Sequence, residues 1–216
     1  MAIPFGGDPA LAAFGSSLTA ITLAELGDKT FFMALILAAR HPPRWVFVGS
    51  FAALAVVTLL SLGVGYGLRE LLPTALVPWL AAALFLGFGA KLLWDAQGLA
   101  AGDADEEREA QETIEAAERR QRIVSAPAVV REAFVLVFLA ELGDRTQLAT
   151  IVLATAPAFT FAGLLLGTLL GHALVTGLAV GAGRWIGHRF SEQLLYRLSG
   201  GLFLVFGLVS LRQALG

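Results

Sequence analysis

Two copies of one acidic motif carry the chemistry open to this sequence. Leu23-Ala24-Glu25-Leu26-Gly27-Asp28-Lys29-Thr30 recurs as Leu139-Ala140-Glu141-Leu142-Gly143-Asp144-Arg145-Thr146, with one cation exchanged for another at the seventh position. In each copy the two carboxylates are three residues apart, a spacing that puts both on one helix face. Hard oxygen donors of this kind favour Ca²⁺, Mg²⁺ or Mn²⁺ over Zn²⁺ or Cu²⁺. The plain alternative is a pair of local salt bridges, Glu25 to Lys29 and Glu141 to Arg145, both with the favourable acid-first spacing of four. Those bridges account for two acids and leave Asp28 and Asp144 without cations, a residual charge that suits one divalent ion. Closely spaced carboxylates also compete to ionise. An arriving cation expels a proton, so exchange of metal for protons follows naturally.

The elements that must position these acids are membrane helices. The chain is 57% hydrophobic and only 15% charged, against about 25% charged in soluble domains. Apolar segments at about 11–38, 46–67, 75–96, 133–156, 160–183 and 194–214 are each long enough to cross a hydrocarbon core of ~30 Å as a helix. They do not alternate as barrel strands would, and lipid leaves an unpaired backbone no partner. Asp8-Pro9 reads as a helix N-cap with proline at the first helical position. No basic stretch precedes the first segment, which is therefore expected to stay as a span and not to be cleaved. A net charge of −2 offers no basic footprint for nucleic acid, and the absence of cysteine excludes disulfides and thiolate metal sites.

Between the third and fourth segments, residues 98–131 hold eight acids and five arginines. Asp103 and Glu106 have capping-box spacing. The composition predicts a solvated linker helix, with cation binding by its acids as the functional alternative. With six spans, the first, third and fifth connections carry ten arginines and the opposite side only Arg69 and Arg212. That bias places the linker in the cytoplasm and both termini outside. The repeat extends beyond the motif, since Gly49, Thr58, Gly63 and Gly65 align with Gly167, Thr176, Gly181 and Gly183. The expected architecture is thus all-α: six transmembrane helices as two inverted three-helix repeats, residues 1–97 and 132–216, joined by the 98–131 linker. An odd number of spans per repeat forces the inversion, an arrangement typical of secondary transporters with midplane sites.

Counted inward from Arg40 and Arg131 at 1.5 Å per residue, Glu25, Asp28, Glu141 and Asp144 all lie ~15–22 Å deep. Ionised groups there cost about 2.5–3.5 kcal/mol each on insertion scales, which argues for a functional site. Gly27 and Gly143, between the acids, either let the helix loosen and present carbonyl oxygens or permit close helix approach. Secondary candidates are the motif's own Lys29, Arg145, Thr30 and Thr146, then Gln147 and Thr150, one and two turns on. Ser50 and Thr58 match Thr168 and Thr176 on the polar stripe Thr168, His172, Thr176. His172 is a softer ligand biasing the site toward Mn²⁺, a proton carrier, or simply hydrogen-bonded within the bundle. Lys91 and Asp95 read as a local ion pair.

Paired E-x-G-D-[KR]-[ST] motifs, on two three-helix halves with an acidic linker, resemble the cation/proton antiporter family that includes Golgi and thylakoid manganese and calcium transporters and bacterial manganese exporters. Both copies, Glu25 to Thr30 and Glu141 to Thr146, fit the pattern. The resemblance implies Mn²⁺ and Ca²⁺ as substrates, proton exchange, and the four motif acids as ligands. Its compact bacterial members suggest Mn²⁺ efflux, and a chain with no organelle-targeting extension fits a bacterial inner membrane. Neither enzymatic activity nor a resident cofactor is expected. An intramembrane lipid diphosphate phosphatase is the rival enzyme reading, but the excess of acids would repel a diphosphate. An exporter of amino acids is the rival transporter, and it needs no four-acid cluster.

Overall fold

The computed structural model describes residues 8–98, 105–120, 125–182 and 192–216. The apolar segments fold as helices, and among the described residues there is no strand. In chain order the helices are α1 (Pro9–Glu25), α2 (Lys29–Arg40), α3 (Pro43–Leu71), α4 (Val77–Gly98), α5 (Asp105–Arg120), α6 (Ala126–Glu141), α7 (Arg145–Thr155), α8 (Phe161–Ala182) and α9 (Glu192–Leu215). Their ends follow local rules. Asp8 accepts a hydrogen bond from the Ala10 N–H and Pro9 opens α1, while Pro43 opens α3.

Four helical stretches are both long and apolar enough to cross a membrane unbroken: α3, α4, α8 and the Tyr196–Leu215 part of α9. The segments expected as continuous first and fourth spans are not continuous. Each breaks at its motif, into α1 and α2 or into α6 and α7. The cause is backbone conformation. Gly27 has φ 77° and Gly143 φ 87°, in the left-handed region that ends helices and that glycine enters without strain.

The helices of the two copies pack reciprocally. α1 packs on α8 as α6 packs on α3, α2 contacts α8 as α7 contacts α3, and α4 lies along α9. Glycine makes the first pair of contacts possible. A Cβ on Gly49 would sit 2.4 Å from the Val130 carbonyl oxygen of α6, and one on the equivalent Gly167 would sit 2.4 Å from the Phe14 carbonyl oxygen of α1. Backbones this close leave no room for a side chain, as at small-residue interfaces between membrane helices.

Polarity is distributed inside out. On α8, Leu166, Leu170, Leu174 and Leu178 form an exposed stripe four residues apart, while Thr168, His172 and Thr176 are buried. On α3, Val48, Val56, Leu59, Leu60 and Val64 are exposed, while Ser50, Thr58 and Ser61 are buried. Water would penalise so large an apolar surface, whereas lipid would not.

The linker helix departs from expectation. α5 is docked on α2, with Ala110 and Ile114 fully buried in the cluster that includes Phe31, Met33 and Leu37. Arg40 pairs with Glu118 at 2.5 Å and Lys29 with Glu109 at 2.5 Å. The helix is amphipathic, with its acids at the surface and a short apolar stripe holding it to the bundle. Lys91 and Asp95 form the expected local pair at 2.6 Å. Asp103 of the expected capping box, Gly183 of the repeat, and Arg122, Arg184 and Arg189 of the charge bias lie outside the described residues.

Candidate functional site

Both motifs place their acids at a helix break. Glu25 is the last residue of α1 and Asp28 the N-cap of α2; Glu141 ends α6 and Asp144 caps α7. The expectation that the acids of one motif share a helix face is therefore corrected, because the left-handed glycine turns the chain between them. Each break also places the positive end of a helix dipole beside the acids and exposes C-terminal carbonyls of the preceding helix.

Glu25, Asp28 and Glu141 are buried and Asp144 is half-buried. In each copy the motif threonine holds its glutamate. Thr30 donates to Glu25 Oε2 at 3.0 Å, and Thr146 donates to Glu141 Oε1 at 2.6 Å. The second oxygens, Glu25 Oε1 and Glu141 Oε2, are buried without a hydrogen-bond partner. Carboxylate oxygens left so are costly, which marks them as available for a ligand. Asp144 accepts from the Thr146 backbone N–H at 3.3 Å and hydroxyl at 3.1 Å. Gln147 accepts from the Gly143 N–H at 2.6 Å and so fixes the second turn.

The cations behave otherwise than the local salt bridges anticipate. Arg145 pairs with Asp28 of the other motif, not with Glu141. Its guanidinium also stacks over the Tyr196 ring at 5.6 Å. Lys29 turns to Glu109 of α5, and Tyr196 donates to Glu106 of α5 at 2.6 Å. Tyr196 was not singled out from the sequence, and Glu106 and Glu109 were read there as acids of the solvated linker. The three-residue spacing of Glu106 and Glu109, beside apolar Ala110 and Ile114, was the available signal of a docked face.

Two small cavities, each of ≈ 10 Å³, open on the two glutamates. Glu25, Thr30, Ser50, His172 and Thr176 bring polar groups to the first; Glu141, Thr146, Gln147, Thr58, Ser61, Thr150 and His172 bring them to the second. Thr168 is buried but lines neither, and Asp28 and Asp144 are not among the lining residues. Among the described residues no three acid or histidine side chains converge on one point as a ready-made metal site. The two glutamates are instead divided between two half-sites, and Asp28 is occupied by Arg145.

Discontinuous helices meeting at buried acids are characteristic of ion-coupled membrane transporters. The chain belongs to the divalent cation/proton antiporter GDT1 family, whose model matches residues 13–99 and 129–216. Members of this family are transporters and not enzymes. The chain is 43% identical over 202 residues to GDT1-like protein sll0615 of Synechocystis, covering 93% of this chain and 97% of that protein. It is 37% identical over 215 residues to GDT1-like protein 1, chloroplastic, of Oryza sativa subsp. indica, covering 92% of this chain but 61% of the rice protein. It is 35% identical over 206 residues to GDT1-like protein 3 of Arabidopsis thaliana, covering 92% and 70%. No solved structure matches.

Proposed function

We propose that this antiporter exchanges Mn²⁺ or Ca²⁺ for protons, with Glu25, Asp28, Glu141 and Asp144 as the carboxylates that hold the cation during transit. One observation carries the reading: each of two buried glutamates, at a helix break, has an unpartnered oxygen and lines a small cavity to which hydroxyls and His172 also contribute. Metal and protons compete for the same oxygens, because a bound cation stabilises the ionised acids. Alternating access converts that competition into exchange.

In this reading the chain has six spans: α1–α2, α3, α4, α6–α7, α8 and α9. Residues 1–97 and 132–216 form inverted repeats about the site, and the reciprocal helix contacts support that relation. The arginine bias supports a cytoplasmic 98–131 linker with both termini outside. A bacterial inner membrane and Mn²⁺ efflux from the cytoplasm complete the proposal. An amino-acid exporter would have no use for three buried acids and a fourth half-buried beside them.

Flux in liposomes tests it. An outward gradient of Mn²⁺ or Ca²⁺ is expected to drive proton uptake, and an imposed pH gradient to drive metal movement. Metal flux indifferent to pH gradients, with no proton signal, would mean a uniporter or channel.

A further inference from the structure

The two half-sites share one side chain. His172 of α8 lines both the Glu25 cavity and the Glu141 cavity. It is buried, and its Nδ1 has no hydrogen-bond partner. The simplest fate of a histidine in a bundle, a hydrogen bond to a neighbouring backbone or side chain, is therefore not met at that nitrogen. Among the lining residues, Glu25 Oε1, Ser50 Oγ and Glu141 Oε2 are likewise buried without a hydrogen-bond partner. Ser50 and Thr58 of α3 belong to different cavities and are eight residues apart, so the cavities succeed each other over ~12 Å of that helix. His172 lies between them.

The repeat makes this position asymmetric. Gly49, Ser50 and Thr58 align with Gly167, Thr168 and Thr176, and the same register sets Leu54 against His172. Leu54 lines the Glu25 cavity. One half thus supplies an apolar side chain where the other supplies an imidazole, which is the sole nitrogen base among the residues lining either cavity. Ca²⁺ and Mg²⁺ take oxygen ligands nearly exclusively, whereas imidazole binds transition metals well.

Building on the transport reading above, we propose that His172 is the shared nitrogen ligand of both half-sites and makes the transporter prefer a transition-metal dication such as Mn²⁺ over Ca²⁺. A cation in either cavity meets one glutamate, a set of hydroxyls and the same imidazole. On its way from Glu25 to Glu141 it meets the same imidazole in each cavity. Ca²⁺ gains nothing from that nitrogen and is held by the oxygens alone.

The experiment uses purified full-length protein with Mn²⁺ and Ca²⁺ as probes. In liposomes, His172→Leu, which copies the Leu54 side of the repeat, and the polar His172→Gln are each expected to lower the Mn²⁺:Ca²⁺ ratio of flux. The expected change is about 10-fold or more, the scale on which weakened ligation acts, and arises mainly through the KM for Mn²⁺. Electron spin-echo spectroscopy of Mn²⁺ bound to the wild type should show imidazole nitrogen modulation that both variants lack. That spectrum is read on the wild type and survives any failure of a variant to fold. Flux of both ions with an unchanged ratio, or bound Mn²⁺ without nitrogen modulation, overturns the role of His172 and leaves the transport reading standing. A wild type that moves neither ion overturns the transport reading, and this inference with it.

Discussion

The ion pair between Arg145 and Asp28 gives the sharpest test of how the two halves are joined. It links α7 to the N-cap of α2, with Arg145 16% exposed and Asp28 5% exposed at their side chains. Breaking a pair this buried by removing one partner costs about 3–5 kcal/mol, because the other charge stays in a poor dielectric. The two deletions should not cost the same. In Asp28→Asn, Arg145 keeps the Tyr196 ring, a contact of roughly 0.5–2 kcal/mol, so this variant falls at the lower end. In Arg145→Gln, Asp28 is left with no cation paired to it, and the loss is larger. The double variant removes both charges and should recover part of the loss, with a coupling energy between about 0.5 and 3 kcal/mol. Unfolding in mild detergent, followed by helical ellipticity, measures all three. Transport should stay abolished in Asp28→Asn and in the double variant, since both lack a carboxylate assigned to the cation. Additive stability losses, with no coupling, would refute the cross-half pair. Recovery of wild-type flux in the double variant would refute Asp28 as a ligand.

Gly49→Ala and Gly167→Ala should each destabilise by about 1–3 kcal/mol, the usual cost of overpacking, because the new Cβ meets backbone oxygen at 2.4 Å; Gly63→Ala, which meets nothing within 4 Å, serves as the neutral control in the same unfolding assay. Ile114→Ala empties a fully buried position on α5 and should weaken its docking by about 2–5 kcal/mol, read as faster amide exchange in α5 than in α3 or α8. A cysteine replacing exposed Glu112 in this cysteine-free chain should resist an impermeant thiol reagent in intact cells and react after lysis, and labelling from outside would reverse the assigned orientation.

Helices, the start of α1 at Asp8-Pro9, and the burial of Glu25, Asp28 and Glu141 were legible from composition and spacing. The breaks at Gly27 and Gly143 were only half legible. A glycine between two acids fits either a loosened helix or a close contact, and hydropathy runs straight through it because the flanking residues stay apolar. The pairing of charges was not legible. Spacing along one helix favours Glu25 with Lys29, but that argument assumes the helix continues, and the left-handed turn removes the assumption. Once α2 starts at Lys29, its side chain sits at the surface that α5 covers, and Glu109 is the acid within reach. The docking of α5 was hidden for a related reason. Seven acids dominate its composition, while the buried stripe among its described residues is Ala110 and Ile114.

These rearranged pairs change the electrostatics of transport. With Lys29 held by α5, the cation paired with a motif acid among the described residues is Arg145. Arg145 cannot serve Asp28 fully while a dication also draws on that carboxylate, since the two positive charges would lie against one another in a region of low dielectric. If the motif acids hold the cation as proposed, its entry opposes the Asp28–Arg145 pair, and its loss favours that pair. The pair bridges the two copies of the motif, so its making or breaking is felt by both at once. A local contest for one carboxylate thus becomes a bias on how the halves sit together, which is the coupling that alternating access needs.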